Sequence, residues 1–154
     1  MTESTAAATA KVLVYSDDRN VRQHLRLALG RWVASDLPEI EVLECATYQA
    51  VLGTLEAGGI DLMILDGEAV PLGGMGLARQ VKDEIADCPP VLLVVARVAD
   101  AWLATWSRAE AVLAYPIDPE RLPARPRSCC GRGRRPPPGD AHLAGRSDRP
   151  GRWP

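Results

Sequence analysis

A chain of 154 residues with 47% apolar content is one domain's worth of sequence, and it holds no apolar run near the roughly 18 to 20 residues that a membrane-spanning helix needs. Its net charge of −2 hides a division: residues 1–121 carry 18 acids and 10 Lys/Arg, whereas residues 122–154 carry 2 acids and 8 Arg. The Ser/Thr/Ala-rich start at 1–10 has neither the basic head nor the apolar core of a secretory leader, so a disordered N-terminus and a cytoplasmic location are expected.

Residues 11–16, K-V-L-V-Y-S, are apolar and β-branched enough to predict a first buried strand. Ser16, Asp17 and Asp18 follow, each able to cap a helix over 19–31 with Val21, Leu25, Ala28 and Leu29 on one face. His24 on that helix reads as a solvated or half-buried histidine, since no partner ligands accompany it. A turn at 36–39 leads to I-E-V-L-E-C at 40–45, which suits an edge strand with one wet face. Thr47 predicts the cap of a helix over 48–57, stopped by Gly58 and Gly59. Neither Cys45 nor Cys88, Cys129 or Cys130 forms a C-x-x-C pair or has a His at ligand spacing, so all four read as buried or loop thiols.

The stretch I-D-L-M-I-L-D-G at 60–67 organises the rest. An unalternating apolar run, Leu62 to Leu65, ends in a lone carboxylate, Asp66. Such a run predicts a strand buried on both faces, with Asp66 at its carboxyl end, where open α/β sheets place their chemistry. A third helix is expected over 76–86, then a very apolar strand at 91–95. A fourth helix is expected over 100–111 with Trp102, Leu103 and Trp106 at helical spacing, as core or interface filling rather than a base-stacking platform. A short fifth strand at 112–115 is closed by Pro116. Strand and helix alternate throughout, which predicts a parallel sheet with right-handed crossovers and helices on both faces.

Several stretches taken together resemble the receiver domain of two-component response regulators: V-L-V-Y-S-D-D, L-M-I-L-D-G, a Pro then a Gly after the Asp, P-P-V-L-L-V-V-A-R and Y-P-I-D-P-E-R-L. The run D-A-W-L-A-T-W-S-R-A-E-A is similar to atypical single-domain receivers of actinobacteria. The resemblance covers 11–122 and implies a flavodoxin-like, doubly wound five-stranded sheet of order 2-1-3-4-5. It also implies that Asp66 stands at the phosphoacceptor position, and that an acidic pair after the first strand holds Mg²⁺ with it. Ser16 and Asp17 fall on that pair, so Asp17 is the expected metal ligand, Asp18 a partial substitute for the lost acid, and the backbone carbonyl near Glu68 a third contact. The family's switch hydroxyl falls on Val95, which has none, and its lysine falls on Tyr115, which is uncharged at neutral pH. Pro71 lies five residues after Asp66 where four is usual, and Gly76 lies ten after where eight is usual, so the loop is expected to be two residues too long.

Attack by a carboxylate on a phosphoryl group needs cations to neutralise developing charge, and the lysine of that set is missing. The expectation is therefore an atypical or pseudo-receiver of phosphorelay-type signalling, not an enzyme, with Mg²⁺ as a weak cofactor at most. It acts through protein contacts, with a histidine kinase or a downstream target, on the face of the fourth helix and fifth strand carrying Trp102, Trp106 and Tyr115. No helix-turn-helix or enzymatic domain follows in the sequence, and no membrane partner is expected. Two alternatives stay open: a small phosphatase with Asp66 as nucleophile and Glu68 as its only available second acid, and a nucleic-acid-binding regulator using the basic tail.

That tail, 123–154, holds 7 Pro, 5 Gly and 8 Arg, with Leu143 and Trp153 its only large apolar residues. It cannot bury enough surface to offset its ordering entropy, so disorder is expected in place of a fifth helix. An electrostatic nucleic-acid arm, a linker without a partner, and the product of a frameshift in a GC-rich gene are all compatible with the composition. Loss of a fifth helix would uncover one side of the sheet and favour marginal stability or a homodimer.

Overall fold

A computed structural model describes residues 9–30 and 39–118. The expectations for 1–8, for the turn at 36–38, for the missing fifth helix and for the basic tail lie outside the described residues. Five parallel strands form one sheet in the order β2-β1-β3-β4-β5. They are β1 (Ala10–Tyr15), β2 (Ile40–Cys45), β3 (Leu62–Asp66), β4 (Val91–Val95) and β5 (Ala111–Ala114). Between them run α1 (Arg19–Gly30), α2 (Tyr48–Ala57), α3 (Gly74–Glu84) and α4 (Leu103–Ser107), the last preceded by a 3₁₀ turn (Val98–Trp102).

All five residues of β3 and of β4 are buried, because the sheet is covered on both faces at its centre. Successive side chains alternate between two apolar clusters, as the twofold period of a strand requires. Leu13, Tyr15, Met63, Leu65, Leu93 and Val95 pack with Val51 of α2 and Leu77, Ala78 and Val81 of α3. Val12, Val14, Leu62, Ile64, Leu92 and Val94 pack on the other face with Leu25, Ala28 and Leu29 of α1. β2 is the wet edge that its sequence predicts, with Glu41 and Glu44 exposed.

Local chemistry explains the helix ends. The Thr47 side chain accepts from the Ala50 amide at 3.2 Å, capping α2. Gly58 and Gly59 end it at φ of 77° and 81°, a region in which only glycine is unstrained. Two helices differ from expectation. The fourth, expected to run to residue 111, splits into a 3₁₀ turn and five α-helical residues and ends where Arg108 takes φ of 61°. Trp102 and Trp106 keep helical spacing but are 67% and 51% exposed, so their periodicity reports an outward face and not a core stripe.

The third helix opens at Gly74 and not at Gly76. Gly74 lies eight residues after Asp66, the spacing that the resemblance implies for the glycine opening this helix, so the expected excess of two residues is not found. A β-carbon at Gly74 would stand 2.6 Å from the Asp66 carbonyl oxygen and 2.9 Å from the Leu65 carbonyl carbon. The first turn of α3 thus sits directly on the end of β3, which only a glycine permits.

Candidate functional site

β1 and β3 lie side by side and end in Ser16 and Asp66, and β5, one strand further on beyond β4, is followed by Tyr115, whose side chain comes under the charge of Asp66. Asp66 is only 3% exposed. The Ser16 hydroxyl, also buried, donates to Asp66 Oδ2 at 2.8 Å, and the Glu68 amide donates to Oδ1 at 3.0 Å. Both carboxylate oxygens are therefore held by protein donors. The start of the β3–α3 loop is pinned as well: the Gly67 amide donates to the Val94 carbonyl at 2.7 Å, and the Ala69 amide to that of Asp66 at 3.3 Å.

The residues around this pair have other duties. Asp18 starts α1, its Oδ1 accepting from the Asn20 amide at 2.7 Å while its own amide donates to Ser16 Oγ at 3.1 Å. Asp17 is exposed, and the carbonyls of Ser16 and Asp17 accept from the Arg22 guanidinium at 2.7 and 3.3 Å. Arg22 also lies 3.7 Å from Glu44. Glu68 contributes its amide to Asp66, and its side chain is exposed.

Val95, on which the resemblance places the switch hydroxyl, is buried in the α3-side cluster and is apolar. Tyr115, expected beside the two tryptophans on one outer face, instead packs against the α1-side cluster, with its hydroxyl wholly buried. That hydroxyl approaches Asp66 without reaching a geometry that makes a hydrogen bond, and has no other partner. Burial first, and then the negative charge of Asp66, hold its pKa well above the ordinary tyrosine range, with Asp18 and Glu68 adding to the effect. Tyr115 is thus a neutral phenol at every physiological pH.

Sequence reasoning overlooked two residues. Tyr15 is fully buried, and its hydroxyl donates to the Leu72 carbonyl at 2.6 Å, tying the loop to the sheet. Burial, then Asp17 and Asp66, raise its pKa too. Ser16 was read as a lost acid, whereas its hydroxyl is the closest donor to Asp66. A polar residue inside an apolar strand end was the available signal in both cases, because a buried hydroxyl must find a partner.

Whether a divalent cation suits this corner follows from the donors. Among the described residues no three His, Cys, Asp or Glu side chains are grouped to hold a metal. Mg²⁺ keeps several waters and takes oxygen lone pairs in near-octahedral array. Here an O–H and an N–H point at the oxygens of a carboxylate that is almost wholly buried. Asp17, the expected ligand, is exposed and Asp18 is committed to α1. As it stands, the arrangement does not fit the ion.

Comparison with known proteins places these features in context. No family model matches the chain. Two uncharacterized response regulatory proteins, from the CDC 1551 and H37Rv strains of Mycobacterium tuberculosis, are each 50% identical to it over 114 residues, 74% of this chain and 86% of theirs. Among solved structures, the receiver domain of Francisella response regulator 1452 is similar at a TM-score of 0.68 and 18% identity, over 80% of this chain and 98% of that one. A Clostridium thermocellum receiver domain gives 0.67 and 24%, over 80% and 95%. A Thermotoga maritima response regulator in complex with Mg²⁺ and BeF gives 0.65 and 21%, over 78% and 98%. The structural likenesses share the fold.

Proposed function

The chain belongs to the response-regulator receiver family of two-component signalling, and on that premise we propose that it transmits its signal by protein contact, without Asp66 as a conventional phosphoryl switch. The observation that carries this reading is Tyr115. A receiver that takes a phosphoryl group must neutralise incoming negative charge, and here a buried, neutral phenol stands where the family's lysine would. Val95 leaves no hydroxyl to sense the group.

The surface available for contact is the outer side of the 3₁₀ turn and α4, where Val98, Trp102 and Trp106 are exposed. The Arg79 guanidinium lies 5.3 Å over the Trp106 ring and donates to the Trp106 carbonyl at 2.9 Å, which holds that ring in place before any partner arrives. Rigid aromatic side chains beside an arginine suit a binding face. A histidine kinase or a downstream target is the class of partner.

Incubation with acetyl phosphate and Mg²⁺, followed by intact mass measurement, tests the proposal. The expected result is no phosphoryl adduct. An adduct that appears in the wild type and is lost in Asp66→Ala would establish a phosphorylated switch and overturn it.

A further inference from the structure

Ser16 decides what Asp66 is able to bind. We propose that its hydroxyl replaces a divalent cation on this carboxylate, and that the single substitution Ser16→Asp opens the corner to Mg²⁺. The inference deepens the reading above, in which Asp66 is not a conventional switch.

The direction of the Ser16 proton is fixed by its neighbours. A serine hydroxyl has one proton to give and lone pairs to receive. The Asp18 amide donates into Ser16 Oγ at 3.1 Å, and the proton is given to Asp66 Oδ2 at 2.8 Å. The result is a charge-assisted bond inside a site that excludes water, among the stronger hydrogen bonds a protein makes. Because Ser16 and Asp66 are both buried, this bond cannot be traded for a hydrated ion without leaving the hydroxyl proton to find a new partner. The Glu68 amide closes the other oxygen. Ser16→Asp removes the donor and sets a second negative charge against Asp66. Two facing carboxylates resist joint ionisation unless a cation lies between them, so the same corner then demands one.

Isothermal titration with Mg²⁺ alone, with no phosphoryl donor present, separates this inference from the reading it rests on. Expected results are no saturable binding by the wild type, saturable binding by Ser16→Asp, and its loss in Ser16→Asp/Asp66→Asn. Thermal unfolding should follow: Mg²⁺ raises the midpoint of Ser16→Asp and leaves that of the wild type unchanged. Saturable wild-type binding that disappears in Asp66→Asn would overturn the proposal, as would a Ser16→Asp protein that is folded by circular dichroism yet blind to the ion. If Ser16→Asp fails to fold, Ser16→Ala decides. Its freed Oδ2 predicts a midpoint that rises with Mg²⁺, and an unchanged midpoint refutes the role assigned to the hydroxyl.

Discussion

Gly74→Ala sets two known effects against each other. Alanine is the better helix former, worth about 1 kcal/mol over glycine in a helix interior and less at the first residue of a helix, where Gly74 stands. At Gly74 the new methyl would lie 2.6 Å from the Asp66 carbonyl oxygen, 2.7 Å from its carbonyl carbon and 2.9 Å from that of Leu65. All three are backbone atoms of a buried strand, so no side chain can swing aside. Forced overpacking costs about 1–3 kcal/mol, and a clash with immobile backbone belongs at the upper end, roughly 3 kcal/mol. The net expectation is a loss of at least about 2 kcal/mol. Gly53→Ala is the control. Gly53 lies inside α2, and a β-carbon there meets nothing within 4 Å, so only the propensity gain of about 1 kcal/mol remains. The same substitution should therefore have opposite signs at two helical sites at least about 3 kcal/mol apart. Urea unfolding followed by far-ultraviolet circular dichroism measures it, and with slopes of about 1–3 kcal/mol per molar the midpoints should separate by at least about 1 M. A Gly74→Ala protein as stable as the wild type would refute the close seating of α3 on β3 and, with it, the placement of Asp66.

Two further substitutions probe the hydroxyls around Asp66. Tyr115→Phe removes a buried hydroxyl that has no partner, so stability near neutral pH should be unchanged or rise by up to about 1 kcal/mol. The pH dependence has a definite sign: the folded-state pKa of Tyr115 is raised, chiefly by burial, so its titration leaves stability untouched below the unfolded tyrosine value of about 10 and lowers it as pH climbs from there toward the raised folded value. Alkaline unfolding curves should be flatter in Tyr115→Phe, and a profile identical to the wild type would place the hydroxyl away from Asp66. Tyr15→Phe deletes the bond to the Leu72 carbonyl and should cost about 1 kcal/mol in the urea midpoint, with faster amide exchange confined to 67–73. Uniformly faster exchange would show that the tie serves the whole sheet and not the loop.

What the sequence made legible was whatever depends on unbroken apolar runs. Leu62 to Leu65 and Val91 to Val95 are buried on both faces, and no wet strand carries such a pattern. Thr47 and Gly58 were readable because each end of α2 has a local chemical need. The fourth helix was not, since its length is set by Arg108 turning to φ of 61° and reaching Asp83 at 2.7 Å on α3, a partner 25 residues away. Gly74 was passed over for Gly76 because two glycines at neighbouring positions look alike until the strand beneath them is known. At the site, residue types at positions aligned by resemblance lead to the expectation that a lysine and a hydroxyl are missing. They did not reveal the bond from Ser16 to Asp66, because it joins residues 50 apart in sequence.

Helix α3 has contacts at both ends that bear on the protein as a machine. Its first residue rests on the Asp66 backbone. Further along, Arg79 grips Trp106, Asp83 pairs with Arg108, and Lys82 pairs with Glu110, whose second oxygen accepts from the Val91 amide at 2.6 Å. One helix thus joins the backbone of the buried Asp66 to the outward Trp106 and to the start of β4. A partner that closes on Trp102 and Trp106 and draws α3 with it would load the Asp66 corner mechanically, and linkage makes the traffic equal in both directions. A lever of this kind would offer a route from site to surface that passes through the backbone and needs no titrating or phosphorylated group.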